Sequence, residues 1–125
     1  MKAIQIRNAG GPEVLELVDI AQPQPAPGEV LVRAVAIGVG KPDVLMRTGV
    51  YRWMPALPAT PGTEMTGTIA ALGDGVAARF PELRVGDQAG VLILLRGAAG
   101  AGEALAVPLA PGAGRQELEA DGAQT

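Results

Sequence analysis

The chain of 125 residues contains no cysteine and no histidine. No disulfide can form, no thiolate is available as nucleophile or metal ligand, and the usual imidazole ligand and general base are missing. Any catalysis must run on carboxylate, hydroxyl or backbone groups, or on a cofactor. Aromatic residues make up only 2% of the chain, so the core must be built mainly from Val, Leu and Ile, and Tyr51 and Trp53 stand out. Lys and Arg number 10 against 13 Asp and Glu, a net charge of -3. No basic run is present to neutralise a phosphate backbone, which argues against nucleic acid as a partner. The longest apolar run, Ala89 to Leu95, is far short of the roughly 20 residues a membrane span needs. Arg7 interrupts the N-terminus before the apolar region of a signal peptide could form. The expectation is a cytoplasmic protein with no membrane partner and room for one domain, burying about 65% of its unfolded surface.

What is present is organised around Thr60 to Val76. Pro61-Gly62 marks a turn, Gly73-Asp74-Gly75 marks another, and the Thr-, Ile- and Ala-rich sequence between them has strand character. Glu64 stands at the mouth of that strand among Gly62, Thr63, Thr66 and Gly67, small residues that let a backbone or ligand approach.

Lys2 to Arg7 alternates polar and apolar residues, and Gly10-Gly11-Pro12 turns the chain into a second strand from Val14 to Ile20, so the N-terminus reads as a hairpin. Pro23, Pro25 and Pro27 withhold ladder N–H groups and predict an extended connector. Glu29 to Val39 is the clearest strand, β-branched or small and apolar along its second half, the pattern of a segment covered on both faces. Pro42 to Arg47 fits a short helix, with Pro42 at its first position and Gly49 past its end. Pro55, Pro58 and Pro61 confine Tyr51 to Pro61 to a loop, which carries Tyr51, Arg52 and Trp53 beside the start of the Glu64 strand. Arg79 to Asp87 ends in a Val85-Gly86-Asp87 turn, and Gly90 to Leu95 reads as another strand. From Gly97 onward the composition shifts towards alanine and glycine, and Pro111 to Thr125 is polar without periodicity, which predicts loose order.

Five segments together resemble the GroES-like catalytic domain of medium-chain dehydrogenase/reductases, in its zinc-independent quinone oxidoreductase branch. Besides the opening Met1-Lys2-Ala3-Ile4, they are Pro27 to Val32, Gly38-Val39-Gly40-Lys41-Pro42-Asp43, Arg47-Thr48-Gly49-Val50-Tyr51, Pro61-Gly62-Thr63-Glu64 and Arg84-Val85-Gly86-Asp87-Gln88, in the family's order. The zinc branch has Gly-His-Glu where this chain has Gly62-Thr63-Glu64, and a cysteine in the turn where this chain has Ile37 to Gly40. Both ligands are absent, which places the resemblance on the zinc-free side. Many members carry asparagine at the position of Gly40, and this chain does not.

The resemblance implies Tyr51, Asp43 and Glu64 as catalytic residues lining a cleft, with Gly40 and Arg47 on the nicotinamide side of the cofactor site. It also implies NADPH as cofactor of the full-length family and none bound by this chain alone, no zinc, a small-molecule quinone or activated alkene as substrate, and a usually homodimeric assembly. The family binds its dinucleotide on a following Rossmann domain of βαβ units of about 30 residues each. Gly97 to Gly102 is reminiscent of a phosphate-binding loop, but its glycine spacing departs from G-x-G-x-x-G, and Pro108 and Pro111 would break the helix that should follow. The better register is Gly102 to Pro108 as a strand similar to the family's Ala-Glu-Tyr-x-x-Val-Pro.

The expected fold is mainly β, a GroES-like partly open β-barrel with one or two short helices and no complete Rossmann domain. Residues 1–109 form that domain, in a truncated or frameshifted chain, and residues 110–125 a poorly ordered tail outside the family pattern. Two functions stay open. One is the substrate-side half of an NADPH-dependent, zinc-free quinone or enone oxidoreductase, inactive alone; the other is a non-catalytic fragment or a binding or assembly module. Each residue has a purely structural role to set beside these: Glu64 bonded to backbone amides, Asp43 favoured by the helix dipole, Tyr51 and Trp53 as loop anchors.

Overall fold

A computed structural model describes residues 1–92 and 104–108. The N-terminal alternation becomes β1 (Lys2–Ile6) and β2 (Leu15–Asp19), paired antiparallel and joined through a 3-10 turn at Pro12–Val14. A second sheet contains β3 (Glu29–Ile37), β4 (Glu64–Leu72), β5 (Gln88–Leu92) and β6 (Ala104–Pro108) in the order β5-β4-β3-β6, every pairing antiparallel. Helix α1 (Lys41–Thr48) follows β3, and a single turn, α2 (Val76–Arg79), follows β4. The architecture is mainly β with two short helices, and among the described residues the sheet does not close into a barrel. None of these helices is long and apolar enough to cross a membrane.

α1 forms where Pro42 and Gly49 bracket it. Pro42 lies in its first turn, and Gly49 ends it at φ 79, a left-handed conformation that a β-carbon penalises. The segment after Asp74 holds more regular structure than its sequence suggests. Gly75 turns the chain into α2 at φ 78, and the turn sinks Val76 and Phe80 into the core.

Burial on β4 alternates with period two. Met65, Gly67 and Ile69 face inward while Glu64 and Thr66 face out. Met65 and Ile69 join Val30, Val32, Val76 and Phe80 in the main core cluster. Two bulges keep facing side chains in phase. Ala70 of β4 and Val35 of β3 are each skipped in the β3–β4 register, so Leu72 pairs with Val30 on the core side and Ile37 pairs with Met65. An extra residue reverses which face every later side chain takes.

The expectation that the second half of β3 is covered on both faces is not met. Val30, Leu31 and Val32 are buried, whereas Val35 is 76% exposed and Ala36 and Ile37 also reach solvent. The cause lies in the neighbours. The β6 partners end at Arg33, so beyond that residue β4 is the one described strand alongside β3.

A smaller cluster of Ile6, Met46 and Ala59, with Val14, Tyr51 and Met54 packed on it, fastens α1 and the following loop to the hairpin. Ile6 and Ala59 exchange backbone hydrogen bonds of 2.8 and 2.9 Å. The strand expected at Gly90 begins two residues earlier, at Gln88, and its continuation beyond Leu92 lies outside the described residues. So do the glycine-rich turn at Gly97 to Gly102 and the tail from residue 110. Of the Gly102-to-Pro108 register, Ala104–Pro108 forms β6, and Gly102 and Glu103 lie outside the described residues.

Candidate functional site

β3 runs out into Gly38-Val39-Gly40, and the two carboxylates expected at the site both meet this segment. The Gly38 N–H donates to the Glu64 carbonyl at 3.1 Å, extending the β3–β4 ladder by one step. The Glu64 side chain lies across Gly38, so close that a β-carbon at that position would overlap it. Two residues on, the Gly40 N–H donates to Asp43 Oδ2 at 2.7 Å. With a Cα spacing of about 3.8 Å, the Glu64 side chain packed on Gly38 and the Asp43 carboxylate bonded to Gly40 meet a span of about 7 Å. Val39, between them, is 85% exposed. The result is an apolar tip flanked by hydrogen-bond acceptors, at the open end of the sheet.

Asp43 has a structural duty here. Gly40 is the N-cap of α1 and Asp43 its third residue, so the carboxylate satisfies a backbone N–H and puts negative charge at the positive end of the helix. Asp43→Ala is expected to cost about 1 kcal/mol of stability. Asp43→Asn, whose amide oxygen still accepts from Gly40, is expected to cost less. Thermal unfolding of the two variants, measured side by side, checks the order.

Arg47 sits in the last turn of α1. Its Nη1 donates to the Gly10 carbonyl at 2.7 Å, and its own carbonyl accepts from the Gly10 N–H at 2.9 Å. Arg47 thus braces the helix against the hairpin turn. The Tyr51 N–H donates to Leu45 O at 3.1 Å, and its ring packs against the Ile6, Met46 and Ala59 cluster. Beyond it Trp53 stands edge-on to Tyr51, with ring centroids 5.7 Å apart at 71°. The Arg52 guanidinium lies 5.3 Å from the indole centroid.

Glu64, Asp43 and Gly40 are thus brought to one segment, while Tyr51 and Arg47 are anchored along α1 and on its hairpin support. Sequence reasoning gave Gly10 only a turn and Gly38 only a place in a matching segment, and foresaw neither contact. Gly38 left a signal, since a glycine at the end of a β-branched run often marks a close approach. Gly10 left none, because its partner is 37 residues away. Among the described residues no group of three or more Asp, Glu, His or Cys converges as a metal site would require.

Residues 26–112 match the alcohol dehydrogenase GroES-like domain. The quinone oxidoreductase of Rattus norvegicus is 44% identical over 79 residues, which are 62% of this chain and 24% of that protein. That of Homo sapiens is 43% identical over the same length, again 24% of the protein. The chain thus spans about a quarter of the length of these curated relatives. Among solved structures, a mycobacterial quinone oxidoreductase is similar with a TM-score of 0.74 and 41% identity, over 86% of this chain and 31% of that one. Escherichia coli quinone oxidoreductase complexed with NADPH is similar with a TM-score of 0.73 and 31% identity, over the same shares. By its matched segment, its antiparallel sheets and these likenesses, the chain belongs to the alcohol dehydrogenase GroES-like domain family, in the quinone oxidoreductase branch of the medium-chain dehydrogenase/reductases.

Proposed function

We propose that this polypeptide is the substrate-side domain of an NADPH-dependent, zinc-free oxidoreductase acting on quinones or activated alkenes. The observation that carries the reading is the pair of acidic side chains, Glu64 packed on Gly38 and Asp43 bonded to Gly40, around an exposed apolar tip.

Two acidic side chains repel a pyrophosphate and accept hydrogen bonds, so the segment fits the neutral, amide-bearing nicotinamide end of a dinucleotide and not its phosphates. NADPH, when bound, supplies the hydride. Glu64 and Asp43 would hold the carboxamide end, Gly40 would keep Asp43 in place, and Tyr51 would line the substrate side. Arg47, bonded to Gly10, acts as a positioning residue for α1. Zinc does not fit this site. Thr63, where the zinc branch has histidine, is buried at 6% exposure, and the chain offers neither thiolate nor imidazole.

The test is a domain exchange. The 125-residue polypeptide with NADPH and 1,4-naphthoquinone is expected to show no turnover, because the region it shares with its relatives is about a quarter of their length. Residues 1–109 spliced in place of the first domain of Escherichia coli quinone oxidoreductase are expected to restore NADPH-dependent quinone reduction that a chelator leaves unchanged. Glu64→Gln in that chimaera is expected to lower kcat/KM about tenfold, because the charge is lost and an NH2 that can only donate replaces one of the two accepting oxygens. A folded chimaera without activity overturns the proposal.

A further inference from the structure

We propose that Gly38 is a positioning residue whose missing side chain seats the Glu64 carboxylate; this rests on the oxidoreductase reading above and names what holds one of its two acidic groups at the nicotinamide site. A chain calls for glycine where its backbone turns left-handed, where another backbone comes too close for a β-carbon, or where a side chain lies in the β-carbon's place. Gly49, at φ 79, is the first case. Gly67 is the second, since a β-carbon there would overlap the Arg33 carbonyl oxygen. Gly38 is neither. Its φ lies outside the left-handed region, and the three atoms nearest to a β-carbon there are Oε1, Cγ and Cδ of Glu64, all of them side chain.

Among the described residues no hydrogen bond or ion pair fixes the Glu64 carboxylate, which belongs to an exposed residue. Both of its oxygens can accept from a ligand, and their place is set by the backbone on which the side chain lies. At Gly40, two residues on, a β-carbon would come no closer than 3.4 Å to Pro42 Cδ. The segment therefore has room for a side chain there, but not under Glu64. A methyl at position 38 moves the carboxylate and spares the fold. Alanine keeps the N–H that donates to the Glu64 carbonyl, and the obstacle is an exposed side chain that can swing into solvent. Non-bonded carbons settle about 3.5–4.0 Å apart, so the carboxylate must withdraw by about 1 Å or more, enough to lose a partner at a reacting centre.

The test pairs the two residues. In the chimaera described above, Gly38→Ala is expected to lower kcat/KM for NADPH about tenfold, the size of the loss in Glu64→Gln. In a Glu64→Ala background the three clashing atoms are gone, and the same substitution is expected to change kcat/KM by less than about twofold. Thermal unfolding of the 125-residue polypeptide is expected to shift by no more than about 3 °C in Gly38→Ala. A nuclear Overhauser cross-peak between Gly38 Hα and Glu64 Hγ of that polypeptide reads the placement without any turnover. An equal loss in both backgrounds, or a larger thermal shift, overturns the proposal by showing that Gly38 acts through the fold and not through Glu64. An unchanged kcat/KM in Gly38→Ala overturns it too, and leaves the oxidoreductase reading standing. A missing cross-peak overturns the placement itself. A folded chimaera without activity sinks the oxidoreductase reading instead, and the cross-peak then decides by itself whether Gly38 seats Glu64.

Discussion

Gly67→Ala is expected to destabilise the chain by about 3 kcal/mol, the upper range for overpacking a core. Gly67 is buried in the middle of β4, opposite Ala34 of β3. A β-carbon there would overlap the Arg33 carbonyl oxygen and come within 2.8 Å of the Arg33 carbonyl carbon and 3.0 Å of Val32 Cγ1. Backbone is the obstacle, so no side-chain rotation relieves it, and the β3–β4 pairing beside the Val35 bulge must open. The restriction that alanine imposes on the unfolded chain works the other way, but is worth only about 0.4–1 kcal/mol. The clash wins. Urea unfolding measures the loss, and Gly90→Ala, whose β-carbon meets nothing within 4 Å, is the control expected to stay near wild type. Equal midpoints for the two variants would show that β3 and β4 do not approach as described.

Ile6→Ala is the second large effect, expected at about 3 kcal/mol, within the range of large-to-small core substitutions. Ile6 is fully buried against Met46 and Ala59. Its backbone is bonded to Ala59 in both directions. The deletion leaves a cavity where the hairpin holds α1 and the loop that carries Tyr51, Arg52 and Trp53. Its consequence therefore reaches the site. Amide hydrogen exchange is expected to accelerate at Ile6 and Ala59 more than at Val32 in the larger sheet. Uniform acceleration across both sheets would mean that the smaller cluster is not a separate fastening.

Much of this architecture was readable because it is local. Alternation set the first strand of the hairpin, flanking turns and Thr- and Ile-rich sequence set β4, and Pro42 with Gly49 bracketed α1. The site was half readable. The resemblance pointed to Glu64, Asp43, Gly40 and Arg47, yet nothing near Arg47 announces that its guanidinium is engaged by Gly10, and nothing near Asp43 says which N–H its carboxylate accepts. The apolar second half of β3 misled, because β-branched composition records what a strand tolerates and not which neighbours reach it.

By itself the amino-acid order ruled out thiol and imidazole chemistry and placed the turns, since those follow from residue type and from dihedral preferences acting over a few positions. Only the folded chain decided that Glu64 rests on Gly38, that Ile6 locks to Ala59, and that bulges at Val35 and Ala70 set the phase of facing strands. Those contacts join residues far apart in the chain. Their geometry depends on strand register, which is settled by the packing of both faces at once and is written in no single segment.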